Sequence, residues 1–268
     1  MLHTPILPGA RRDFPPDASR FETNTLFSKR LPLPDRAGAS TLLEVTLATS
    51  AEERQQAQAL VNRMYDWRGY GDSHVIPTSE GHSTFLASLD GELVGTITLG
   101  VDTGTGLAAD LIFRNELNTF RRVPGASLCE LVKFAFDADM PSRQLLASLF
   151  HIVFIYGMRH HRCSDLFIEV NPRHRRFYQT MLGFQSLGDL RTNSSVHAPS
   201  QLMWLKVADI AQHIGSQTTR AETNSRSLYP MFLSSHDERM VRARLARAVS
   251  TQARPKMQTH ELPPATIS

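Results

Sequence analysis

One carboxylate of the sequence stands in strongly apolar surroundings. Residues 128–136, LCELVKFAF, predict a β-strand in which Glu130 shares a face with three apolar residues and Lys133 points to the opposite face. A buried carboxylate destabilises a fold unless it has a partner or a chemical task. Two explanations stay open. Glu130 forms a buried ion pair with an arginine, or it receives the proton of an attacking amine or orients that amine.

A tyrosine follows the next predicted strand at a position suited to acid catalysis. Residues 168–184, IEVNPRHRRFYQTMLGF, predict a strand, a turn at Asn171-Pro172, and a helix that carries Tyr178 and ends at Gly183. A phenol can donate its proton to a leaving group within hydrogen-bond reach. The alternative is that the aromatic and aliphatic side chains of this helix form a plain core-facing stripe.

Alternating strands and helices must position these groups. The predicted strands are residues 42–48, 84–89, 92–101, 128–136, 166–170 and 202–207. Helices are predicted over residues 51–67, in the later part of residues 104–120, and over residues 141–160 and 173–182. The first of these helices begins with a capping box. This order predicts an α/β (α+β) fold with a mixed, mostly antiparallel central sheet flanked by helices.

Composition divides the sequence into three regions. Residues 1–39 contain six prolines and lack hydrophobic periodicity, which predicts a poorly ordered arm. Residues 40–215 carry most of the apolar content and predict a single packed domain. Residues 216–268 hold eight Lys and Arg against four acids, and within them residues 236–249 predict an Arg-rich helix followed by a tail.

Several classes of protein are excluded by composition and charge. Of the 268 residues, 41% are apolar and 21% charged, which is typical of a packed core. A formal net charge of +3 does not indicate a nucleic-acid partner. The uncharged run 145–158 has only 14 residues, so no transmembrane segment is predicted. Without a targeting signal, we expect a cytoplasmic protein, and the His and Cys spacing predicts no metal site.

The motifs together resemble a known enzyme family. The string around Tyr178 is similar to the GNAT N-acyltransferase fold, in which an Asn, then Phe-Tyr, then Gly-Phe recur in that order. Residues 40–210 resemble the FeeM-like N-acyl amino acid synthases and, more distantly, the acyl-homoserine-lactone synthases. The segments that carry this resemblance are residues 63–70, 95–102, 106–110, 130–133 and 169–178.

The resemblance implies roles for individual residues. Glu130 and Tyr178 would be catalytic, as amine-orienting carboxylate and proton donor. Glu130 matches the Glu of an E-x-x-R motif, whose Arg is here replaced by a lysine that cannot form the same bidentate fork. The implied acceptor-binding residues are Arg63, Trp67, Asp102, Lys133 and Phe136, with a backbone amide near the last of these stabilising the oxyanion.

The donor site departs from the CoA-dependent members of the fold. Those members carry R/Q-x-x-G-x-G/A before a helix, whereas residues 137–147 contain no glycine. A single phosphate beside Arg143 suits the 4′-phosphopantetheine arm of an acyl carrier protein better than CoA. The predicted donor-binding residues are Arg143, Asn171, Arg173 and Arg176. No tightly bound cofactor is expected, and the acyl-4′-phosphopantetheine would be a co-substrate.

The resemblance therefore implies transfer of a long fatty acyl group from acyl carrier protein to the α-amine of an amino acid. The alternatives are an acyl-homoserine-lactone synthase, a CoA-dependent N-acetyltransferase, or a catalytically silent acyl-binding module on the same fold.

Overall fold

The computed structural model describes residues 24–32, 39–137, 142–194, 196–217 and 226–252. Within these ranges lie eight strands: β1 (Thr25–Pro32), β2 (Ser40–Leu47), β3 (His82–Leu89), β4 (Glu92–Val101), β5 (Leu128–Phe136), β6 (Asp165–Val170), β7 (Gln185–Asn193) and β8 (Ala198–Lys206). The same ranges contain six α-helices: α1 (Ala51–Asp66), α2 (Asp110–Arg121), α3 (Arg143–Arg159), α4 (Arg175–Leu182), α5 (Val207–Gln217) and α6 (Ser235–Gln252).

The described strands form one sheet in the order β1-β2-β3-β4-β5-β6-β8-β7. Neighbouring strands are antiparallel, except that β5 and β6 run parallel. A parallel pair needs a crossover connection, and α3 supplies it between these two strands. The predicted mixed, mostly antiparallel sheet flanked by helices is thus confirmed.

The parallel pair opens along its length. Residues 128–131 pair with residues 165–168, and the pairing stops there. Beyond this point β5 has a β-bulge, in which Lys133 and Phe134 stand opposite the single residue Ile97 of β4. Lys133 has a φ of 52° in this bulge. A bulge bends its strand and increases the local twist, so β5 turns away from β6 and an opening forms between them.

The helix signals in the sequence agree with the structure at three places. The hydroxyl of Ser50 accepts from the Glu53 amide while the Glu53 carboxylate accepts from the Ser50 amide, which completes the capping box of α1. Helix α4 ends at Gly183, whose φ of 82° favours glycine. Helix α3 begins at Arg143 with Ser142 as N-cap, and the proline predicted in its first turn lies outside the described residues.

The uncharged run 145–158 forms most of α3, which is buried on nearly all sides in the core. Among the described residues, no helix is both long and apolar enough to cross a membrane.

The N-terminal arm differs from the prediction for residues 25–32. These residues form β1, which pairs with β2 along the sheet edge and buries Leu26 and Phe27 in the core. The prolines of this region concealed the strand. Pro32 is its last residue, and at the end of an edge strand a missing backbone N–H removes no ladder hydrogen bond from the sheet interior.

Strand β7 and helix α5 were not predicted from the sequence. Strand β7 is the other edge of the sheet and most of its residues are exposed, so it shows no clear apolar alternation. The strand predicted over residues 202–207 corresponds to β8. It is not an edge strand of the sheet, because it lies between β6 and β7.

The Arg-rich helix near the C-terminus is part of the packed domain. Helix α6 places Val241, Leu245 and Ala248 in the same core as β1 and α3. Its Arg244 donates through Nη1 to the carbonyl oxygen of Leu26 at 3.3 Å. The basic side chains lie mainly on the outer face of α6.

Because Leu245 is 6% exposed, Leu245→Ala should leave a cavity and lower the free energy of unfolding by about 2–5 kcal/mol. Denaturant unfolding followed by circular dichroism measures this change. The matched control is Met240→Ala on the exposed face of the same helix, which should alter stability little. Equal, small effects of both variants would show that α6 does not belong to the core.

Candidate active site

A cavity of about 570 Å³ lies at the opening between β5 and β6. Its lining is largely apolar and aromatic, with a few charged and polar groups, which is the usual form of a small-molecule site. The polar and titratable residues that line it are Tyr65, Arg68, Tyr70, His74, His82, Glu130, Lys133, Glu169, Asn171, His174, Tyr178, Asn193 and Ser200.

Glu130 sits at the buried end of this cavity and is 2% exposed. Its Oε1 accepts from the amide of Ala108 at 2.5 Å and its Oε2 from the amide of Ala109 at 3.1 Å. Burial raises the pKa of Glu130 to about 7, although the two amides oppose the shift. Its partners in the described structure are backbone amides rather than an arginine, so the explanation as a buried ion pair does not apply.

The loop that supplies these amides is held by Arg121. Its guanidinium donates to both carboxylate oxygens of Asp110 and, through Nε, to Asp102, with each of these contacts at 2.6 Å. Asp102 also accepts from the amides of Gly104 and Gly106. The predicted substrate residue Asp102 therefore braces the loop and does not line the cavity.

Asp110 is charged within this network. Burial alone would raise the pKa of its carboxyl, but the hydrogen bonds from Arg121 and the Leu107 amide outweigh burial and hold the pKa below its ordinary value. The same contacts raise the pKa of Arg121. The Asp110 carboxylate and the Arg121 guanidinium are thus ionised at neutral pH.

Lys133 and Phe136 both line the cavity, as Glu130 does. In a regular strand Lys133 would project from the opposite face, but the bulge shifts the alternation of β5 by one residue. Partial burial lowers the pKa of Lys133. The ring of Phe136 lies against Gly95, where a Cβ would come within 2.7 Å of it.

Tyr178 lies in the cavity wall, as the proton-donor role requires. Burial, with a smaller contribution from Tyr65, raises the pKa of its phenol, which therefore stays protonated at neutral pH. Tyr65, a residue without a predicted role, lines the same cavity, and burial raises its pKa to about 12.

The predicted acceptor residues Arg63 and Trp67 do not line the cavity. Arg63 forms an exposed ion pair with Asp137 at 3.2 Å, and Trp67 is 76% exposed. Arg68 lines the cavity instead. Arg68 follows Tyr65 by three residues at the end of α1. At this spacing the two side chains lie on the same side of a helical turn.

The predicted donor residues fall into two groups. Asn171 lines the cavity, and its Oδ1 accepts from the Arg173 amide at the start of a short 3-10 helix. The Arg173 guanidinium donates to the Tyr70 hydroxyl at 2.6 Å, and Arg176 is exposed on α4. Arg143 is separate from the cavity, and its guanidinium donates to two backbone carbonyls at residues 226 and 227.

Two further cavity residues without a predicted role lie close to Glu130. Glu169 on β6 lines the same cavity as Glu130, and its Oε1 accepts hydrogen bonds from Asn193 and Ser200. His82 enters from β3, and its position next to Glu130 is visible only once the strand register is known. Among the described residues, no group of three His, Cys, Asp or Glu side chains is placed to hold a metal ion.

Comparisons with known proteins agree with this fold. The family described as N-acyl amino acid synthase FeeM matches residues 56–206. The structure of FeeM, an N-acyl amino acid synthase from uncultured soil microbes, is 30% identical over 66% of this chain and 98% of that chain, with a TM-score of 0.59. A search of curated protein sequences returns no match.

Two further solved structures are more distant. The AHL synthase LasI is 12% identical, over 63% of this chain and 91% of that chain, with a TM-score of 0.47. An acyl-CoA N-acyltransferase from Pseudomonas aeruginosa is 12% identical, over 60% of this chain and 98% of that chain, with a TM-score of 0.44.

The fold is therefore that of the GNAT N-acyltransferases, and the protein is an acyltransferase. Within that class the chain belongs to the FeeM N-acyl amino acid synthase family. Both the fold and the family expected from the sequence motifs are confirmed.

Replacement of Arg121 should disturb both stability and the site. Arg121→Gln leaves two largely buried carboxylates without their cation, so the free energy of unfolding should fall by about 3–5 kcal/mol at pH 7. Because the pKa of Asp110 is depressed in the folded state, this difference should shrink as the pH falls below about 4. Denaturant unfolding at several pH values measures it.

The matched control is Arg122→Gln at the exposed neighbouring position, which should change stability little. An Arg121→Gln variant as stable as the wild type at pH 7 would contradict the role given to this ion pair.

Proposed function

We propose that the protein transfers a long-chain fatty acyl group from acyl carrier protein to the α-amine of an amino acid. The observation that carries the proposal is Glu130, a buried carboxylate with a pKa of about 7 at the end of a cavity that opens between two parallel strands. A base with this pKa can take a proton from a bound amine and release it again near neutral pH.

The reaction begins at Glu130. Its carboxylate removes one proton from the ammonium of the acceptor, and the neutral amine attacks the thioester carbonyl carbon, so a C–N bond forms. Backbone N–H groups of the bulge near Phe136 would stabilise the oxyanion. Collapse of this intermediate breaks the C–S bond, and the thiolate takes the phenolic proton of Tyr178. The second proton of the former ammonium group leaves the nitrogen for the Tyr178 phenolate, which yields the neutral amide and restores the phenol. No covalent enzyme intermediate and no tightly bound cofactor is needed.

Cations in the cavity wall suit the carboxylate of an amino-acid acceptor. Lys133 projects into the cavity from the bulge, three residues after Glu130, and Arg68 lines it from the end of α1. The amine would face Glu130 while the carboxylate faces one of these cations. This assignment replaces Arg63 and Trp67, which lie outside the cavity, with residues that line it.

The residues at the start of α3 and on α4 favour a carrier protein over CoA as the acyl donor. At the described start of α3, Ser142 already accepts from the Leu145 amide, and Arg143 is engaged with backbone carbonyls. Neither group is positioned as part of a pyrophosphate cradle. By contrast, Arg175 and Arg176 are exposed on α4, the helix that carries Tyr178, where an acidic carrier protein would dock and insert its acyl-pantetheine arm as co-substrate. Such a substrate is consistent with the expected cytoplasmic location.

Incubation with palmitoyl acyl carrier protein or palmitoyl-CoA and a mixture of amino acids, followed by mass spectrometry, tests the proposal. We expect N-acyl amino acids, formed much faster from the carrier protein at matched concentration. Equal turnover with acyl-CoA would contradict the donor assignment. An acyl-homoserine lactone formed from S-adenosylmethionine would indicate the alternative synthase, and carrier binding without any product would indicate a silent module.

Glu130→Gln serves as the inactive control in this assay. It should lower kcat by about 10²-fold or more with a modest change in melting temperature, while Glu92→Gln at an exposed position should have no effect. In the wild type, log kcat/KM should rise with pH up to about 7, where Glu130 becomes charged, and then level off. Near-normal activity of a folded Glu130→Gln variant would remove Glu130 from the mechanism.

The docking of the carrier protein predicts a separate effect at α4. The double charge reversal Arg175→Glu/Arg176→Glu should raise KM for the acyl carrier protein, by about 10-fold at low salt, and flatten its dependence on ionic strength. The value of kcat should change little. The control, Arg239→Glu/Arg242→Glu on α6, makes the same charge change on another surface. Equal KM values for both double variants would argue against docking at α4.

A further inference from the structure

His82 lies next to Glu130, with only Gly100 between them in the sheet. Gly100 of β4 pairs with His82 on one side and with Glu130 on the other. Residues directly opposite one another on neighbouring strands project from the same face. A Cβ at position 100 would lie 3.1 Å from His82 Nε2 and 3.4 Å from Glu130 Cγ, so the absence of a side chain at Gly100 lets the two groups approach.

The other side of the His82 ring leads to the surface. Its Nδ1 lies 2.9 Å from the hydroxyl of Ser79, an exposed residue. When Nδ1–H donates to this hydroxyl, Nε2 carries the free lone pair and faces the gap over Gly100. The imidazole is half-buried and lines the cavity, so it spans the distance between Glu130 and solvent.

A buried base needs such a connection. Glu130 gains a proton from the acceptor amine in every catalytic cycle and must lose it before the next. With 2% of its surface exposed and both oxygens turned to the amides of Ala108 and Ala109, it has little direct contact with water.

We propose that His82 is a relay residue that returns Glu130 to its charged form after each turnover. The proposal rests on the proposed function. The O–H bond of protonated Glu130 breaks and an N–H bond forms at His82 Nε2, with one water over Gly100 passing the proton along. The N–H bond at Nδ1 then breaks and releases a proton to solvent beside Ser79, and proton exchange with water returns the ring to the Nδ1–H tautomer before the next turnover. One proton enters and one leaves, and no other reactant is required.

The charges around His82 are compatible with this role. Burial lowers its pKa, so the ring is neutral and able to accept a proton near pH 7. Carboxylates on neighbouring elements favour the transient imidazolium, while cavity cations oppose it. The charged and titratable groups that line the cavity with His82 include Glu130 on β5, Glu169 on β6, and also Lys133, Arg68, His74 and Tyr65.

Steady-state kinetics test the relay. His82→Gln should lower kcat by about 10-fold or more with KM for donor and acceptor nearly unchanged, and added imidazole should restore kcat in His82→Ala. The control His236→Gln, at an exposed position on α6, should behave as the wild type. A kcat within twofold of the wild type, or a loss that imidazole does not restore, overturns the proposal.

Gly100→Ala provides a second variant that keeps both side chains. Its methyl group would occupy the gap, so kcat should fall while the melting temperature stays close to that of the wild type. An unchanged kcat in this folded variant contradicts a relay through the gap.

Histidine NMR titration separates this proposal from the proposed function, since it needs no turnover. The pKa of His82 should be lower in Glu130→Gln than in the wild type, because a neighbouring negative charge is removed. An identical titration in both proteins overturns the coupling, whether or not acyl transfer is found. If the wild type forms no product but the titrations differ, the proposed function fails and the coupling stands.

Discussion

The ion pair of Arg121 with two aspartates is the interaction on which the site depends. It fixes the loop between β4 and α2, and this loop presents two amides to Glu130. Burial raises the pKa of this carboxyl to about 7, and the two neutral amides offset the effect of burial only in part. A guanidinium in the same place would have kept Glu130 charged and prevented proton exchange near neutral pH. The ion pair of Arg121 therefore stabilises the loop, and the neutral amides of the loop bind the Glu130 carboxylate.

The bulge in β5 connects the shape of the cavity with its chemistry. It follows the end of the parallel pairing with β6, where the space for a substrate opens, and it also reverses the alternation of side chains beyond Val132. Glu130 and Lys133 consequently share one cavity, although their odd spacing places them on opposite faces of a regular strand. One local irregularity thus supplies both a base and a cation to the same wall.

Much of the fold was predictable, and part of the site was not. Strands with strong apolar patterns and helices with capping signals were located correctly, whereas the edge strands β1 and β7 carry weak patterns. Glu130 was recognised because a carboxylate among apolar residues requires an explanation. The places of Arg63 and Lys133 depend on helix phase and on the bulge, and the position of His82 depends on the register of three strands. Such relations between distant segments leave no local signal.

The contact between Arg244 and Leu26 joins residues 218 positions apart. While the chain is being synthesised, β1 leaves the ribosome long before α6, the helix that packs beside it. During that interval the apolar face of β1 that carries Leu26 lacks the helix that packs against it, and this exposed surface can associate with other nascent chains. Slow elongation through the intervening segment would lengthen this exposure. Yields of native protein should therefore depend on translation speed and chaperone supply more than the stability of the finished domain would suggest.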